Sequence, residues 1–134
     1  MRILGIDHGD VRIGLALSDE ANLIARPLQV LKHIAREADA QTVARIAVEK
    51  KAQLIIVGLP VDDEGQVGYQ ARKVKRWADG LSRITEIQIE FWDESYSTAE
   101  ADALTPSRKR DEANDARAAA VMLQNYLDSH RPND

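Results

Sequence analysis

The 134-residue sequence contains no cysteine, which excludes disulfide frameworks, thiolate zinc sites and thiol nucleophiles. It also lacks long apolar runs, so we expect neither a secretory segment before Asp7 nor a membrane span. Met and aromatic residues are too few to indicate a dimer interface. The composition, 44% hydrophobic and 30% charged, predicts one globular domain over residues 1–134, located in the cytoplasm.

Positively charged residues are also fewer than negatively charged ones, with 18 Lys and Arg and 22 Asp and Glu. The resulting formal charge of -4 has the wrong sign for a protein that binds nucleic acid through its overall field. A polyanion would therefore have to meet a local basic patch. Two clusters could supply one or could be solvated charge on an exposed face; they are Arg72-Lys73-Lys75-Arg76 and Arg108-Lys109-Arg110.

Hydrophobic patterning predicts a three-stranded meander followed by two helix-strand units and further helices. Since helix-strand units add parallel strands, we expect a five-stranded mixed α/β sheet with helices on both faces, the ribonuclease H-like order. Pro27 marks the start of its strand or a sheet edge, and the fifth strand is expected to be buried on both faces. The predicted strands are 3–6, 11–17, 27–31, 54–58 and 86–92, and the helices are 36–51, 69–81, 99–104 and 112–129.

Acidic residues lie at three positions where secondary structure begins or ends. Asp7 follows the first strand, Asp93 and Glu94 close the fifth, and Asp115 lies near the start of the apolar-striped last helix. Convergent carboxylates are the hard oxygen ligands that Mg²⁺ and Mn²⁺ prefer, so one metal site is predicted. Each acid also has a structural explanation as a turn residue, a polar strand end or a complement to the helix dipole.

Five motifs in this order resemble the YqgF/RuvX family, Holliday junction resolvase-like proteins also described as pre-16S rRNA nucleases. The resemblance covers nearly the whole chain, and it is the order and spacing of the motifs that make it specific. The motifs are Asp7-His8-Gly9-Asp10-Val11-Arg12-Ile13-Gly14, Ser18-Asp19, Val57-Gly58-Leu59-Pro60 with Gly65 and Gly68, Asp93-Glu94-Ser95-Tyr96-Ser97-Thr98, and Asp115-Ala116-Arg117-Ala118-Ala119.

The resemblance implies that Asp7, Glu94 and Asp115 are the metal-binding catalytic acids of a ribonuclease H-like nuclease that uses Mg²⁺ or Mn²⁺. The implied reaction is phosphodiester hydrolysis during 5′-end maturation of pre-16S rRNA. Alternatives are a resolvase of branched DNA and a noncatalytic nucleic-acid-binding module. The partner would be nucleic acid and not a membrane, and the protein a monomer or a homodimer. Asp93 and Asp10 are possible additional acids.

Candidate contacts to phosphate come from polar residues of the motifs and from one lysine in each basic cluster. Ser97 and Thr98 could instead cap a helix, and His8 could be either a proton shuttle or a structural residue. The sequence departs from the family at Ser95, where arginine is usual, and at Asp10, where threonine is more familiar; Arg12 or Arg117 could compensate for the missing arginine. The candidate phosphate contacts are Arg12, Lys73, Lys109, Ser97 and Thr98.

A β-hairpin with an Asp-x-Gly turn, here Asp7-His8-Gly9, also occurs at the start of kinase folds, where the turn contacts ATP phosphates. A phosphotransferase is therefore a further alternative. Those proteins close two copies of the fold around the nucleotide. This chain has room for one copy and no second such hairpin, which argues against that alternative.

Overall fold

The structure, a computed structural model, describes residues 1–60, 68–93 and 112–130, with backbone only at 112–114. None of the described helices is long and apolar enough to cross a membrane. The predicted helix at 99–104 lies outside the described residues. The described strands are β1 (Ile3–His8), β2 (Arg12–Ser18), β3 (Ala25–Lys32), β4 (Leu54–Leu59) and β5 (Gln88–Asp93), and the helices are α1 (Arg36–Glu49), α2 (Tyr69–Ser82) and α3 (Glu112–Ser129).

The five strands form one mixed sheet in the order β3-β2-β1-β4-β5. β1, β2 and β3 pair antiparallel, while β4 pairs parallel with both β1 and β5. This confirms the predicted ribonuclease H-like order. The carboxyl ends of β1, β4 and β5 consequently lie at the same edge of the sheet, where open α/β sheets bind ligands.

The turn between β1 and β2 depends on a glycine. The N–H of Gly9 donates a hydrogen bond of 3.0 Å to the carbonyl oxygen of Arg12. A Cβ on Gly9 would lie only 2.8 Å from that same oxygen, closer than a side-chain carbon approaches a backbone atom in folded proteins. The tight hairpin that carries Asp7 and His8 therefore needs glycine at this position.

The two faces of the sheet pack against different helices, and side chains alternate between the faces along each strand. On β1, Leu4 and Ile6 belong to the hydrophobic cluster under α1 and α2, whereas Ile3 belongs to the cluster under α3. Alternation then places Asp7 on the α3 face and His8 on the α1/α2 face. Asp7 and His8, neighbours at the end of β1, thus lie on opposite faces of the sheet.

The prediction that the fifth strand is buried on both faces was wrong. β5 is the last strand in the sheet order, none of its residues is fully buried, and Phe91 is 40% exposed. Ile89 and Trp92 are partly buried against the two hydrophobic clusters. Pro27 lies in β3, the other edge strand, so the expectation of an edge position was correct; proline cannot donate to a further strand there.

The Ser18-Asp19 motif has a structural role. The buried Ser18 hydroxyl accepts a 2.8 Å hydrogen bond from the N–H of Ile3, which fixes the start of β1. The Asp19 carboxylate accepts hydrogen bonds of 2.8 and 3.2 Å from the N–H groups of Leu23 and Ile24, closing the turn before β3. This motif supports the sheet that carries the candidate acids.

Candidate active site

The start of α3 lies directly on β2 at a residue without a side chain. A Cβ on Gly14 would lie 2.1 Å from the carbonyl oxygen of Asp115, so any other residue here would push the helix away. Gly14 is also the partner of Asp7 in the antiparallel pairing of β1 with β2. The glycine therefore brings the first turn of α3, and Asp115 with it, beside the end of β1.

Asp7 and Asp115 share a small cavity, which we call the acidic cavity. Its volume is about 180 Å³. Asp115 is 5% exposed, and Asp7 is half-buried. Two of the three predicted acids, which are more than a hundred positions apart in the sequence, are thus brought together. The lining residues are Asp7, Gly9, Asp10, Val11, Arg12 and Asp115.

Arg12 forms an ion pair inside this cavity. Its Nε atom donates a 2.5 Å hydrogen bond to Oδ2 of Asp115. A buried carboxylate needs such a partner, since removing it from water is costly otherwise. Arg12 was expected to contact phosphate or to compensate for Ser95; the ion pair gives it a role in holding Asp115. Arg117, the other possible substitute, is exposed.

Asp93 does not join this cavity. It is exposed at the end of β5, and it follows Trp92, which packs against the cluster under α3. Strand alternation places the Asp93 side chain on the other face from Asp7. The other predicted residues Glu94, Ser97, Thr98 and Lys109 lie outside the described residues.

Within residues 1–60, 68–93 and 112–130, no group of three or more His, Asp or Glu could hold a metal ion. Of the predicted ligands Asp7, Glu94 and Asp115, the structure describes Asp7 and Asp115. Carboxylate oxygens on a rigid strand and a helix turn are hard donors that suit Mg²⁺ or Mn²⁺ and leave positions for a further ligand. The residues present therefore fit a divalent ion of this type.

Asp10 is engaged on the other side of the turn. Its Oδ1 accepts a 2.7 Å hydrogen bond from Nζ of Lys73 on α2 and a longer one, 3.5 Å, from Gln70. The hydrogen bond from Lys73 lowers the pKa of Asp10. Lys73 was predicted to contact phosphate, and part of its charge is offset by Asp10. Asp10 is exposed and lines the acidic cavity from its rim.

His8 packs against α2. Its ring lies 4.6 Å from the ring of Trp77, centroid to centroid, and burial lowers the pKa of His8. The sheet separates this ring from Asp7 and Asp115. This position favours the structural interpretation of His8 over that of a proton shuttle.

A second buried acid, Asp39, was not predicted from the sequence. Asp39 is 3% exposed, with Oδ2 at 2.5 Å from Nδ1 of His33 and Oδ1 accepting a 3.1 Å hydrogen bond from the N–H of Ile34. The sequence does carry a signal for this burial. Asp39 precedes Val43 by four residues, so the helical period places it in the apolar stripe of α1. These contacts of Asp39 with His33 and Ile34 fix the connection between β3 and α1.

Solved structures of two Holliday junction resolvases share this fold. Thermus thermophilus RuvC in complex with a Holliday junction substrate matches with a TM-score of 0.60 at 13% identity, covering 96% of this chain and 94% of that one. The Fowlpox virus Holliday junction resolvase matches with a TM-score of 0.57 at 14% identity, covering 96% and 99%. At these identities the likeness establishes the fold class, the ribonuclease H-like fold of resolvases.

The chain belongs to the RuvX family, whose model, described as Holliday junction resolvase, matches residues 1–129. A pre-16S rRNA nuclease of Anaeromyxobacter sp. is 42% identical, covering 96% of this chain and 97% of the relative. One of Thermoanaerobacter pseudethanolicus is 39% identical, covering 98% and 99%. These comparisons confirm the predicted family and class of enzyme, a nuclease that hydrolyses phosphodiester bonds.

Proposed function

We propose that this nuclease matures the 5′ end of pre-16S rRNA, using Mg²⁺ or Mn²⁺ held by Asp7, Asp115 and Glu94. The observation that carries the proposal is the pairing of Asp7 with Gly14 under the first turn of α3. It accounts for two carboxylates in one cavity at the carboxyl end of β1. Glu94 is included because of the family motif, and strand alternation excludes its neighbour Asp93.

Each residue has a defined task in this proposal. A bound divalent ion supplies the Lewis-acid chemistry of phosphodiester hydrolysis. Asp7 presents its carboxylate from a rigid strand end, and Asp115 presents its own from a helix turn. Arg12 keeps the buried Asp115 oriented through its hydrogen bond, so it is a positioning residue. The motif residues Ser97 and Thr98 and the basic-cluster residue Lys109 would contact backbone phosphates.

The substrate assignment follows the relatives. Those at 42% and 39% identity, aligned over almost their whole length, bear the name pre-16S rRNA nuclease. Branched DNA is the second candidate, because the family model is described as Holliday junction resolvase. Symmetric cutting of a junction would need a homodimer, whereas one copy of the domain, residues 1–134, suffices for a single RNA strand. Action on ribosomal precursors would place the protein in the cytoplasm.

A cleavage assay tests this function. End-labelled precursor 16S rRNA and a four-way DNA junction are each incubated with the protein and Mg²⁺ or Mn²⁺, with EDTA as the control. We expect metal-dependent cutting of the RNA that Asp7→Asn or Asp115→Asn reduces by at least about 10²-fold. Asp79→Asn, a change of the same type at an exposed position on α2, should cut like the wild type.

The alternatives give different results. Preferential cutting of the junction would move the assignment to branched DNA. Binding of either polymer without metal-dependent cutting would contradict the nuclease and leave a noncatalytic binding module. Cutting that Asp7→Asn does not change would remove Asp7 from the catalytic acids.

A further inference from the structure

A second cavity lies under the same hairpin turn, on the opposite face of the sheet. We call it the basic cavity. Its volume is about 300 Å³, at the lower end of the range for small-ligand pockets. It is formed where the end of β1 meets α1 and α2. The side chains that matter below are His8, His33, Arg36, Lys73, Arg76 and Trp77.

Cations dominate this cavity although the protein as a whole is acidic. Its lining contains three cationic side chains, those of Arg36, Lys73 and Arg76, and one carboxylate, that of Asp10. Lys73 is already paired with Asp10. Among the residues that the structure describes, Arg36 and Arg76 form no ion pair. Two arginine forks are therefore available for an anion, and bidentate recognition of phosphate is what arginine does best.

Further polar groups in the cavity lack partners within the protein. Neither ring nitrogen of His8 nor the indole N–H of Trp77 has a hydrogen-bond partner among the described residues, although all three atoms are buried. The exposed His33 is fixed through Nδ1 by Asp39. Buried polar groups are normally paired, so the unpaired nitrogens of His8 and Trp77 indicate a polar wall on this side of the cavity.

The position of the basic cavity relates it to the candidate active site. Gly9 and Asp10 line both cavities, so only the hairpin turn separates them. At the rim, Tyr69 is 70% exposed, with Nζ of Lys73 5.4 Å from the centre of its ring. An exposed aromatic ring beside cations is typical of surfaces that bind single-stranded nucleic acid by stacking.

We propose that the basic cavity binds a phosphate group of the substrate strand, one hairpin turn away from the acids that cut it, with a neighbouring base on Tyr69. The inference rests on the proposed nuclease function and specifies a phosphate subsite for it. Arg36 and Arg76 would hold the phosphate oxygens. The subsite fixes the position of the strand relative to Asp7 and Asp115.

The first test uses the two tryptophans of the chain as reporters in EDTA, where no cutting occurs. Inorganic phosphate and a nucleoside monophosphate are titrated into ¹⁵N-labelled protein, and the indole signals are assigned with Trp92→Phe. We expect the Trp77 signal to shift and that of Trp92 to stay. The double variant Arg36→Ala/Arg76→Ala should abolish the shift.

A matched control comes from the same two helices. Arg45 on α1 and Arg72 on α2 are exposed and do not line the cavity. The variant Arg45→Ala/Arg72→Ala therefore removes the same two positive charges from the same helices, outside the basic cavity. This variant should keep the Trp77 shift. Tyr69→Leu should also keep it while weakening RNA binding, because the proposed role of Tyr69 concerns the base and not the phosphate.

The second test measures the affinity for single-stranded RNA against salt concentration, again in EDTA. Loss of one phosphate contact should lower the slope of log K against log salt by about 0.7. We expect this for Arg36→Ala/Arg76→Ala and a smaller change for Arg45→Ala/Arg72→Ala. Since cutting is not measured, failure here leaves the nuclease proposal standing, and failure of the cleavage assay leaves this result interpretable.

Three results would overturn the inference. The first is a Trp77 signal that phosphate does not move. The second is an equal decrease in the slope of log K against log salt for Arg36→Ala/Arg76→Ala and for Arg45→Ala/Arg72→Ala. That result would indicate that only the overall charge of the protein contributes. The third is a Trp77 shift with the nucleotide but an unchanged RNA slope in Arg36→Ala/Arg76→Ala, which would make the cavity a site for free nucleotides.

Discussion

The acidic and basic cavities lie on the two faces of a single strand end. Alternation along β1 places Asp7 in the first and His8 in the second, and the positive charge of the second comes from Arg36, Lys73 and Arg76. The acidic cavity joins β1 to α3 and collects Asp7, Asp115 and Arg12. The basic cavity joins β1 to α1 and α2 and is lined by arginines. A slip of one residue in the register of β1 would move Asp7 to the α1/α2 face and His8 to the α3 face, so the pairing of β1 with β2 governs both sites.

The cavities also differ in how their charges are balanced. In the acidic cavity, the buried Asp115 is paired with Arg12 at 2.5 Å. In the basic cavity, Arg36 and Arg76 have no ion-pair partner among the described residues. The ion pair in the acidic cavity holds the Asp115 carboxylate in a fixed position. The unpaired arginines in the basic cavity leave positive charge that a ligand can neutralise. This contrast suggests that one face performs the chemistry and the other holds the strand.

The largest expected effect separates the two faces functionally. Asp7→Asn should reduce cleavage by at least about 10²-fold and leave the phosphate-induced shift of the Trp77 signal unchanged, because Asp7 is on the other face. Cleavage rates and the indole spectrum are measured on the same protein. Loss of both properties would indicate that the two cavities act as one site.

The contact that builds the acidic cavity can be broken without changing any charge. Gly14→Ala places a methyl group against the Asp115 carbonyl, and overpacking of this kind should lower the free energy of unfolding by about 3 kcal/mol. Cleavage should fall with it. Urea denaturation measures the change.

Gly80→Ala is the matched control for that substitution. A Cβ at Gly80 meets nothing within 4 Å, and alanine is the better helix former, so stability should rise by up to about 1 kcal/mol. Equal destabilisation by both changes would mean that the helix approach at Gly14 is not the cause.

A smaller effect is expected from the ion pair. Arg12→Ala leaves Asp115 buried without its charged partner and should lower stability by about 2 kcal/mol. Arg12→Lys keeps the charge but loses the planar fork, so it should restore stability more than cleavage. Arg26→Ala, on the exposed surface of β3, serves as the control. Full cleavage by Arg12→Ala would contradict a positioning role.

The smallest effect concerns the rim that the cavities share. Lys73→Ala removes the hydrogen bond that lowers the pKa of Asp10, so that pKa should rise toward its ordinary value. Stability from this contact is present above the ordinary pKa and is lost as pH falls through the lowered one. Carboxyl ¹³C shifts measure the titration, with Lys75→Ala as the control. An unchanged Asp10 titration would show that the contact is absent in solution.

Much of the fold follows from periodicity in the sequence. The bounds predicted for α3, 112–129, are those observed, because its apolar stripe is long and regular. The burial of β5 was predicted wrongly, since an apolar run does not reveal whether a strand lies at the centre or the edge of a sheet. Which helix covers which face is likewise a tertiary property.

The candidate site was predictable in part. Asp7 and Asp115 were identified from their places at element ends and from the family motifs. Their convergence depends on the approach of α3 to Gly14, which is a packing contact and leaves no local signal. The basic cavity was harder to predict, because Arg36, Trp77 and His33 come from separate segments and carry no shared motif.

The most direct test of the division between the two faces is a titration of ¹⁵N-labelled protein with Mn²⁺, followed by paramagnetic broadening of amide signals. The account predicts that the signals of Asp7, Gly14 and Asp115 broaden first and that Asp7→Asn abolishes this at the same Mn²⁺ concentration. First broadening around Lys73 on α2, or broadening near Asp115 that Asp7→Asn leaves intact, would contradict it.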